Sequence, residues 1–486
     1  MNETLLTWIV FILAFAGMVL IHEFGHFIAA RMSGIEVEEF GVGLPTPGAI
    51  TLWVSKGYLI LKNGQRIEIP SNFRLPFASS SELTGREVRL TVDRVGERLV
   101  LRSMEIVRNV ENRPASVRPL DMDHIVVDQT GQTVNEQPAA TSQQVVKAGK
   151  RTGEMALNEV IAETHPGTRF TFNWLPLGGF VRPKGENDPN IPGGLAAASP
   201  WKRLFVLVAG PAMNLLTAVV IYAFIFSQVG VPDTNRLMVA SISPNSPAAE
   251  AGLQTGDVFV SGNGRTIRNY EDLRVIVDGN ADKTVAFLVE RNGTQVEVTA
   301  VPRMNETEGR VMIGVGLDAP LKETASLAET LNMGARYTGL NIRALLSLPA
   351  QMIRGTLPPD QARLIGLKGI FDVFEQTVSH DVQSSSNPEN NSGGPAPASS
   401  NPLDGPVRTL FVLASLSISL GVFNLLPFPA LDGGRILFIL PELIFRRRVS
   451  PQIENVVHGL GMALLLIFML YVNVMDFVNP AVINIP

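Results

Sequence analysis

Four long apolar runs along the chain alternate with stretches in which polar and apolar residues trade places. The runs cover about Leu5–Met32, Leu204–Val229, Leu410–Leu426 and Leu460–Val478, and each reaches the roughly 17–20 residues a helix needs to cross a bilayer. A shorter apolar piece, Ile436–Phe445, contains Pro441 and runs into Arg446-Arg447-Arg448; too short to span, it reads as interfacial or re-entrant. Lys56–Pro70 and Glu87–Val107 alternate with period two around turn dipeptides such as Asn63-Gly64, which predicts the hairpins of a small β-domain. Residues 111–165 are polar and weakly patterned, expected as loops with a little strand. Arg236–Leu317 shows repeated short strands and Gly-rich turns, and Leu327–Arg354 is amphipathic at helical spacing. Asp381–Pro406 is rich in Ser, Asn, Pro and Gly with too few apolar residues to form a core, and is expected as a disordered linker.

Composition sharpens this picture. Of 486 residues, 45% are hydrophobic and only 17% charged, against about 25% charged in soluble domains, so the chain reads as a membrane protein with soluble parts. The first run holds a His/Glu cluster and no basic residue precedes it, so it reads as a retained span rather than a signal peptide. Arg31 closes the first run, Lys202-Arg203 open the second, and Arg435 and Arg446–Arg448 follow the third. All these cations fall on one side if the N-terminus is outside. The expected topology is therefore four spans, N-out and C-out, with 33–200 and 433–456 cytoplasmic and 230–407 outside. A net charge of −5 gives no reason to expect a nucleic-acid partner. Cysteine is absent, which excludes disulfides, thiolate metal sites and cysteine nucleophiles. Any metal must be held by His, Asp or Glu.

The first run carries such a set. In His22-Glu23-Phe24-Gly25-His26 the two imidazoles, four residues apart, share one helix face and can bind one ion, while Glu23 points near the same pole. Neutral imidazoles suit zinc, and the carboxylate can take a proton from activated water. Ionisable groups inside a span are costly and usually functional. At 1.5 Å per residue from Leu5, His22 lies roughly 25 Å along the helix, near the cytoplasmic edge of the hydrocarbon. A catalytic zinc needs a third protein ligand. Asp432, at the cytoplasmic end of the third run, reaches the same depth, because the first and third spans run in one direction. Pro427 and Pro429 break the helix just before it. His124, His165, His380 and His458 show no ligand spacing and read as surface or interfacial. The reading is zinc on His22, His26 and Asp432, with Glu23 as general base.

Together HEFGH in the first span and Asn424-Leu425-Leu426-Pro427-Phe428-Pro429-Ala430-Leu431-Asp432-Gly433-Gly434 at the third resemble the site-2 proteases, intramembrane zinc metalloproteases, and most closely their PDZ-containing bacterial branch. Gly210-Pro211-Ala212-Met213-Asn214 resembles the family's GPxxN motif, and Leu175–Arg182 (LPLGGFVR) its cytoplasmic β-hairpin loop. Arg236–Pro302 is similar to a circularly permuted bacterial PDZ domain. The resemblance implies that Asn214, Gly178, Gly179, Phe180 and Asn424 contact substrate. It also implies substrates that are single-pass membrane proteins, anti-sigma factors or signal-peptide remnants, cut after a site-1-type protease has trimmed them. The chain departs from the family pattern in about a hundred extra residues after Phe40–Pro45, and in reading Gly366-Leu367-Lys368-Gly369-Ile370 where the family shows a GPxGI-like stretch.

The expected fold is thus a polytopic α-helical membrane protein of four spans in the cytoplasmic (inner) membrane, with an extracytoplasmic PDZ-like α+β domain and a cytoplasmic β-rich insertion. The expected boundaries are spans at 4–32, 204–229, 407–434 and 457–479. Between them lie a cytoplasmic region at 33–200 with its insertion at about 50–165 and hairpin loop at 174–184, the PDZ-like domain at 233–318, and a helical segment at 325–380. A linker at 381–406 and an interfacial segment at 436–456 complete the chain. Two rivals remain. A membrane-anchored HExxH protease of soluble or lipidated chains typically takes its third ligand from a downstream Glu, and no convincing Glu motif stands beside LDGG. A non-catalytic PDZ scaffold has no need of Glu23.

Overall fold

Each of the four apolar runs folds into one helix long and apolar enough to cross a membrane: Leu5–Met32, Pro200–Val229, Arg408–Leu425 and Pro451–Val478. The last begins at Pro451 rather than Leu460, because hydropathy marks only the apolar part of a helix that proline and polar residues can start. In this computed structural model residues 3–478 are described, apart from 47, 76–82, 108–125, 128–132, 135–153, 176–177, 187, 306–308, 324–325, 356–364 and 387–406. In chain order the helices are α1 (Glu3–Met32), α2 (Pro200–Val229), α3 (Pro247–Glu250), α4 (Tyr270–Asp278), α5 (Leu327–Arg354), α6 (Leu367–Ser386), α7 (Arg408–Leu425), α8 (Asp432–Phe445) and α9 (Pro451–Val478). The chain divides into two compact units, Ile12–Asn214 with Phe423–Ile467, and Met1–Phe11 with Leu215–Val422 and Phe468–Pro486.

The first unit is organised around a four-stranded sheet in the order Gly179–Pro183, Val37–Val42, Arg169–Phe172, Ile50–Val54. Here the expected hairpin is corrected. Gly179–Pro183 does not fold back on the strand that precedes it; it pairs antiparallel with Val37–Val42, Phe40 opposite Val181 and Val42 opposite Gly179. Val37–Val42 in turn pairs in parallel with Arg169–Phe172. A parallel pair cannot be closed by a tight turn and needs a long crossover, and the β-rich insertion lies within that connection. Its two ends meet, with Ser55 N–H donating to Thr168 O at 2.9 Å and Thr168 N–H to Ser55 Oγ at 2.8 Å.

The insertion is a seven-stranded sheet over a core that includes Leu59, Ile67, Leu90 and Leu101. Its longest strand, Glu154–His165, lies where loops were expected; it pairs with both Gly57–Leu61 and Glu87–Val95. His165 at its end is 8% exposed, not a surface residue. Its Nδ1 meets Glu36 and its Nε2 lies 3.0 Å from Glu163 Oε2, and Lys184 Nζ lies 2.9 Å from the other oxygen of Glu36. These contacts tie the insertion's last strand to the chain leaving α1 and to the end of the strand Gly179–Pro183. His124 lies outside the described residues.

In the second unit, Leu237–Ile242 pairs antiparallel with both Val258–Gly262 and Val315–Asp318. With Val285–Arg291 and Thr294–Ala300 they form the sheet of the PDZ-like domain, closed over Val239, Phe259, Ile276 and Phe287. Ser246 and Asn269 cap α3 and α4 through their side-chain oxygens. Tyr222 and Phe226 of α2 pack with Tyr337 of α5 and Phe411 of α7. Two long-range caps hold the remaining helices. Asp476 of α9, 1% exposed, accepts the N–H groups of Gly366 and Gly369 at 2.7 and 3.1 Å, satisfying the start of α6. Asp381 of α6 does the same for Arg408 and Thr409 at the start of α7. A Cβ at Gly366 or Gly369 would crowd the Asp476 carboxylate, which accounts for glycine in the Gly366–Ile370 stretch. The expected linker at 381–406 is corrected in its first residues, because α6 continues to Ser386; 387–406 lie outside the described residues.

Candidate metal centre and active site

The ion-binding face begins with helix geometry. His22 and His26 stand one turn apart on α1, their Nε2 atoms 3.2 Å from each other. Asp432 Oδ2 lies 3.1 Å from His22 Nε2 and 3.3 Å from His26 Nε2. A tetrahedral ion with bonds of about 2.0–2.1 Å has corner atoms about 3.3–3.4 Å apart, so these three donors can serve as three corners of one zinc site. The donor chemistry also fits. His26 Nδ1 donates to Val206 O at 2.7 Å, which leaves Nε2 unprotonated toward the cluster. Asp432 adds a carboxylate oxygen, an oxygen donor of the kind zinc takes beside imidazole nitrogens.

Asp432 reaches this position differently from the expectation of a carboxylate at the end of the third span. The helix α7 stops at Leu425, residues 426–431 form a break containing Pro427 and Pro429, and Asp432 opens α8. Proline supplies no N–H for a helix and clashes with the preceding turn, so the chain turns there and starts anew. Gly433 and Gly434 make the turn possible: a Cβ on either would collide with carbonyl oxygens of the break, Leu426 O and Phe428 O respectively. Arg435 then pairs with Glu186, and Arg203 of α2 with Glu442, anchoring α8.

The α2 motif packs directly on the two histidines. Gly210 and Asn214, one turn apart, face His26 and His22 on the antiparallel α1. A Cβ at Gly210 would fall within the His26 ring, and one at Gly25 on Ala209 O; small residues allow this close helix approach. Asn214, expected as a substrate contact, is completely buried, with its amide 3.1 Å from His22 Nδ1. The amide atom beside Nδ1 is Nδ2, which donates to it; the tautomer that presents Nε2 to a metal, with the ring proton on Nδ1, needs the amide turned over so that its oxygen accepts. Asn214 is thus placed to orient the His22 ring. Gly210→Ala is expected to lower both zinc content and turnover, since the added methyl displaces His26, an overpacking change costing about 1–3 kcal/mol. Gly459→Ala, where a Cβ meets nothing within 4 Å, is expected to leave both unchanged; zinc analysis with a cleavage assay checks the pair.

Glu23 faces the sheet, with Oε2 accepting the N–H of Val181 at 3.1 Å. The strand bearing Val181 lies against α1 because Gly178 and Gly179 have no side chains: a Cβ at Gly178 would press on Val19, and one at Gly179 on Leu20 and Gly41 O. Gly178 also has φ of 86°, a conformation that favours glycine. Phe180 is half-buried beside Gly41, where any Cβ would strike its ring. Asn424 lies half-buried in the last turn of α7. Sequence reasoning missed this contact of His458, whose Nδ1 accepts the N–H of Ala430 at 3.0 Å. No spacing signal links it to the motif, because the two meet only through packing of α9.

Comparison with known proteins agrees with this chemistry. The profile of peptidase family M50 matches residues 10–60 and 150–468. A probable protease Eep of Enterococcus faecalis is 25% identical over 492 residues, covering 96% of this chain and 97% of its own. Zinc metalloprotease RasP of Oceanobacillus iheyensis is 26% identical over 487 residues, covering 96% of this chain and 97% of its own. A Bacillus subtilis protein named regulator of sigma-W protease RasP is 31% identical over 274 residues, 56% of this chain and 58% of its own. Among solved structures, a PDZ domain of a Listeria monocytogenes protein is 18% identical, covering 17% of this chain and 87% of that chain with a TM-score of 0.16. A family match of such extent places the chain in peptidase family M50: it is a zinc metalloprotease of the site-2 protease type.

Proposed function

We propose that the protein hydrolyses a peptide bond in or near the transmembrane segment of single-pass membrane proteins, after an outer domain has been removed by another protease. The observation that carries this is the placement of His22, His26 and Glu23 within an apolar helix long enough to span, with Asp432 completing the donor set. When bound, zinc supplies Lewis-acid activation to water and to the scissile carbonyl. Glu23 takes a proton from the attacking water and returns it to the leaving amine. Asn214 and Val206 hold the two imidazoles in the tautomer that presents Nε2. A helical substrate hides its carbonyls, so it must unwind, and the strand Gly179–Pro183 beside Glu23 offers an edge for an extended segment. A relative named for regulation of sigma-W makes membrane-anchored anti-sigma factors the first substrates to try.

The protein is read as a multi-pass protein of the cytoplasmic membrane, with the PDZ-like domain and N-terminus outside. Two measurements test this. Purified protein in bicelles is expected to cut a trimmed single-pass substrate within its span and to leave an unrelated soluble protein intact; the reverse preference would refute intramembrane proteolysis. In a chain without native cysteine, Thr266→Cys is expected to react with an impermeant thiol reagent on intact cells and Ser71→Cys only after lysis. Both positions are exposed, so the opposite pattern would invert the topology.

A further inference from the structure

The break between α7 and α8 carries Asp432, and its own backbone bonds are short-range, Phe428 N–H to Leu426 O at 2.7 Å and Leu431 N–H to Phe428 O at 3.2 Å. Pro427 and Pro429 have no N–H to donate, and Ala430 takes φ of 79°, a left-handed conformation that a Cβ disfavours. Support comes from α9. The N–H of Ala430, two residues before Asp432, donates to His458 Nδ1 at 3.0 Å. Three residues further on, and so on the same helix face, Gly461 brings the α9 backbone against Pro429, whose atoms a Cβ would strike. A backbone N–H can only donate, so Nδ1 is the acceptor and the ring proton sits on Nε2. That Nε2 is buried and has no hydrogen-bond partner among the described residues. A leucine would fill the space beside Phe438, whose ring centre lies 5.5 Å away, without burying an unpaired N–H. What histidine alone adds over such a residue is the Nδ1 lone pair.

We propose that His458 is a positioning residue for the hydrolysis: by holding the Ala430 N–H it fixes the turn that aims the Asp432 carboxylate at His22 and His26. It touches neither substrate nor metal and acts through the backbone of the break. The inference rests on Asp432 being a zinc ligand.

The test uses the full-length, zinc-loaded protein. His458→Leu removes the acceptor at similar volume, and His458→Asn returns an acceptor oxygen close to the place of Nδ1. His458→Leu is expected to lower kcat about tenfold with KM nearly unchanged, and to speed zinc release to a chelator about tenfold, the scale of losing a group that orients a ligand. His458→Asn is expected to recover most of both. Wild-type kcat and zinc release in His458→Leu would overturn the proposal, and so would equal impairment of the two variants, since the acceptor would then be irrelevant. Should His458→Leu fail to fold, His458→Asn decides alone: wild-type-like zinc release and kcat support the proposal, and a tenfold loss of either overturns it. Asp432→Ala, measured alongside, separates the two readings. If it keeps its zinc, the ligand assignment fails; if it loses zinc while His458→Leu behaves as wild type, only the role of His458 fails.

Discussion

Glu23→Gln is expected to lower turnover by about 10³- to 10⁴-fold while zinc stays bound, at the upper end of what one general base contributes. Glutamine has the same shape and keeps an oxygen to accept the Val181 N–H now held at 3.1 Å, so the contact between α1 and the strand survives. What it loses is the carboxylate's basicity. Glu23 is not among the three residues whose donor atoms cluster, so the metal has no reason to leave. Zinc analysis and single-turnover cleavage of a trimmed single-pass substrate check both halves. Turnover at the wild-type rate would remove Glu23 from the mechanism, and loss of zinc would make it a ligand instead.

Replacing a ligand should do the opposite. His22→Ala, His26→Ala and Asp432→Ala are each expected to weaken zinc on the order of 10³-fold, a third of the roughly 10–16 kcal/mol that a closed protein zinc site supplies, and to abolish cleavage with it. Asp432→Ala also leaves two imidazoles facing each other, with Nε2 atoms 3.2 Å apart, and among the described residues no other donor joins that cluster to take over the third corner. Asn214→Ala, which removes the partner of His22 Nδ1, is expected to cost about 10- to 100-fold in affinity. Competition with a chelator of known strength ranks the four variants. An Asn214→Ala loss as large as that of Asp432→Ala would mean that the amide does more than orient His22.

Much of the site was legible in local pattern. The four long apolar helices follow from apolar length, and the paired histidines with Glu23 between them follow from helical spacing, since residues four apart must share a face whatever surrounds them. The prolines before Asp432 announced a break for the same local reason, although not that Asp432 opens a new helix. The hairpin around Gly179 could not be read correctly, because its true partner, Val37–Val42, lies over a hundred residues earlier and strand pairing is chosen by the whole sheet rather than by neighbours in sequence. Likewise Asn214 looked like a group offered to substrate, and only the crossing of α1 and α2 at Gly25 and Gly210 turns it onto His22. His165 and His458 carried no spacing signal at all. One is enclosed when the insertion's last strand returns to the sheet, the other when α9 packs on the break. The sequence by itself therefore determined which atoms could hold zinc and that His22 and His26 stand within a helix long and apolar enough to cross a membrane, because helix periodicity and apolar length act within a few turns. Which groups orient those atoms was decided only by tertiary structure, because each such contact joins segments far apart in the chain that meet when helices and strands close on one another.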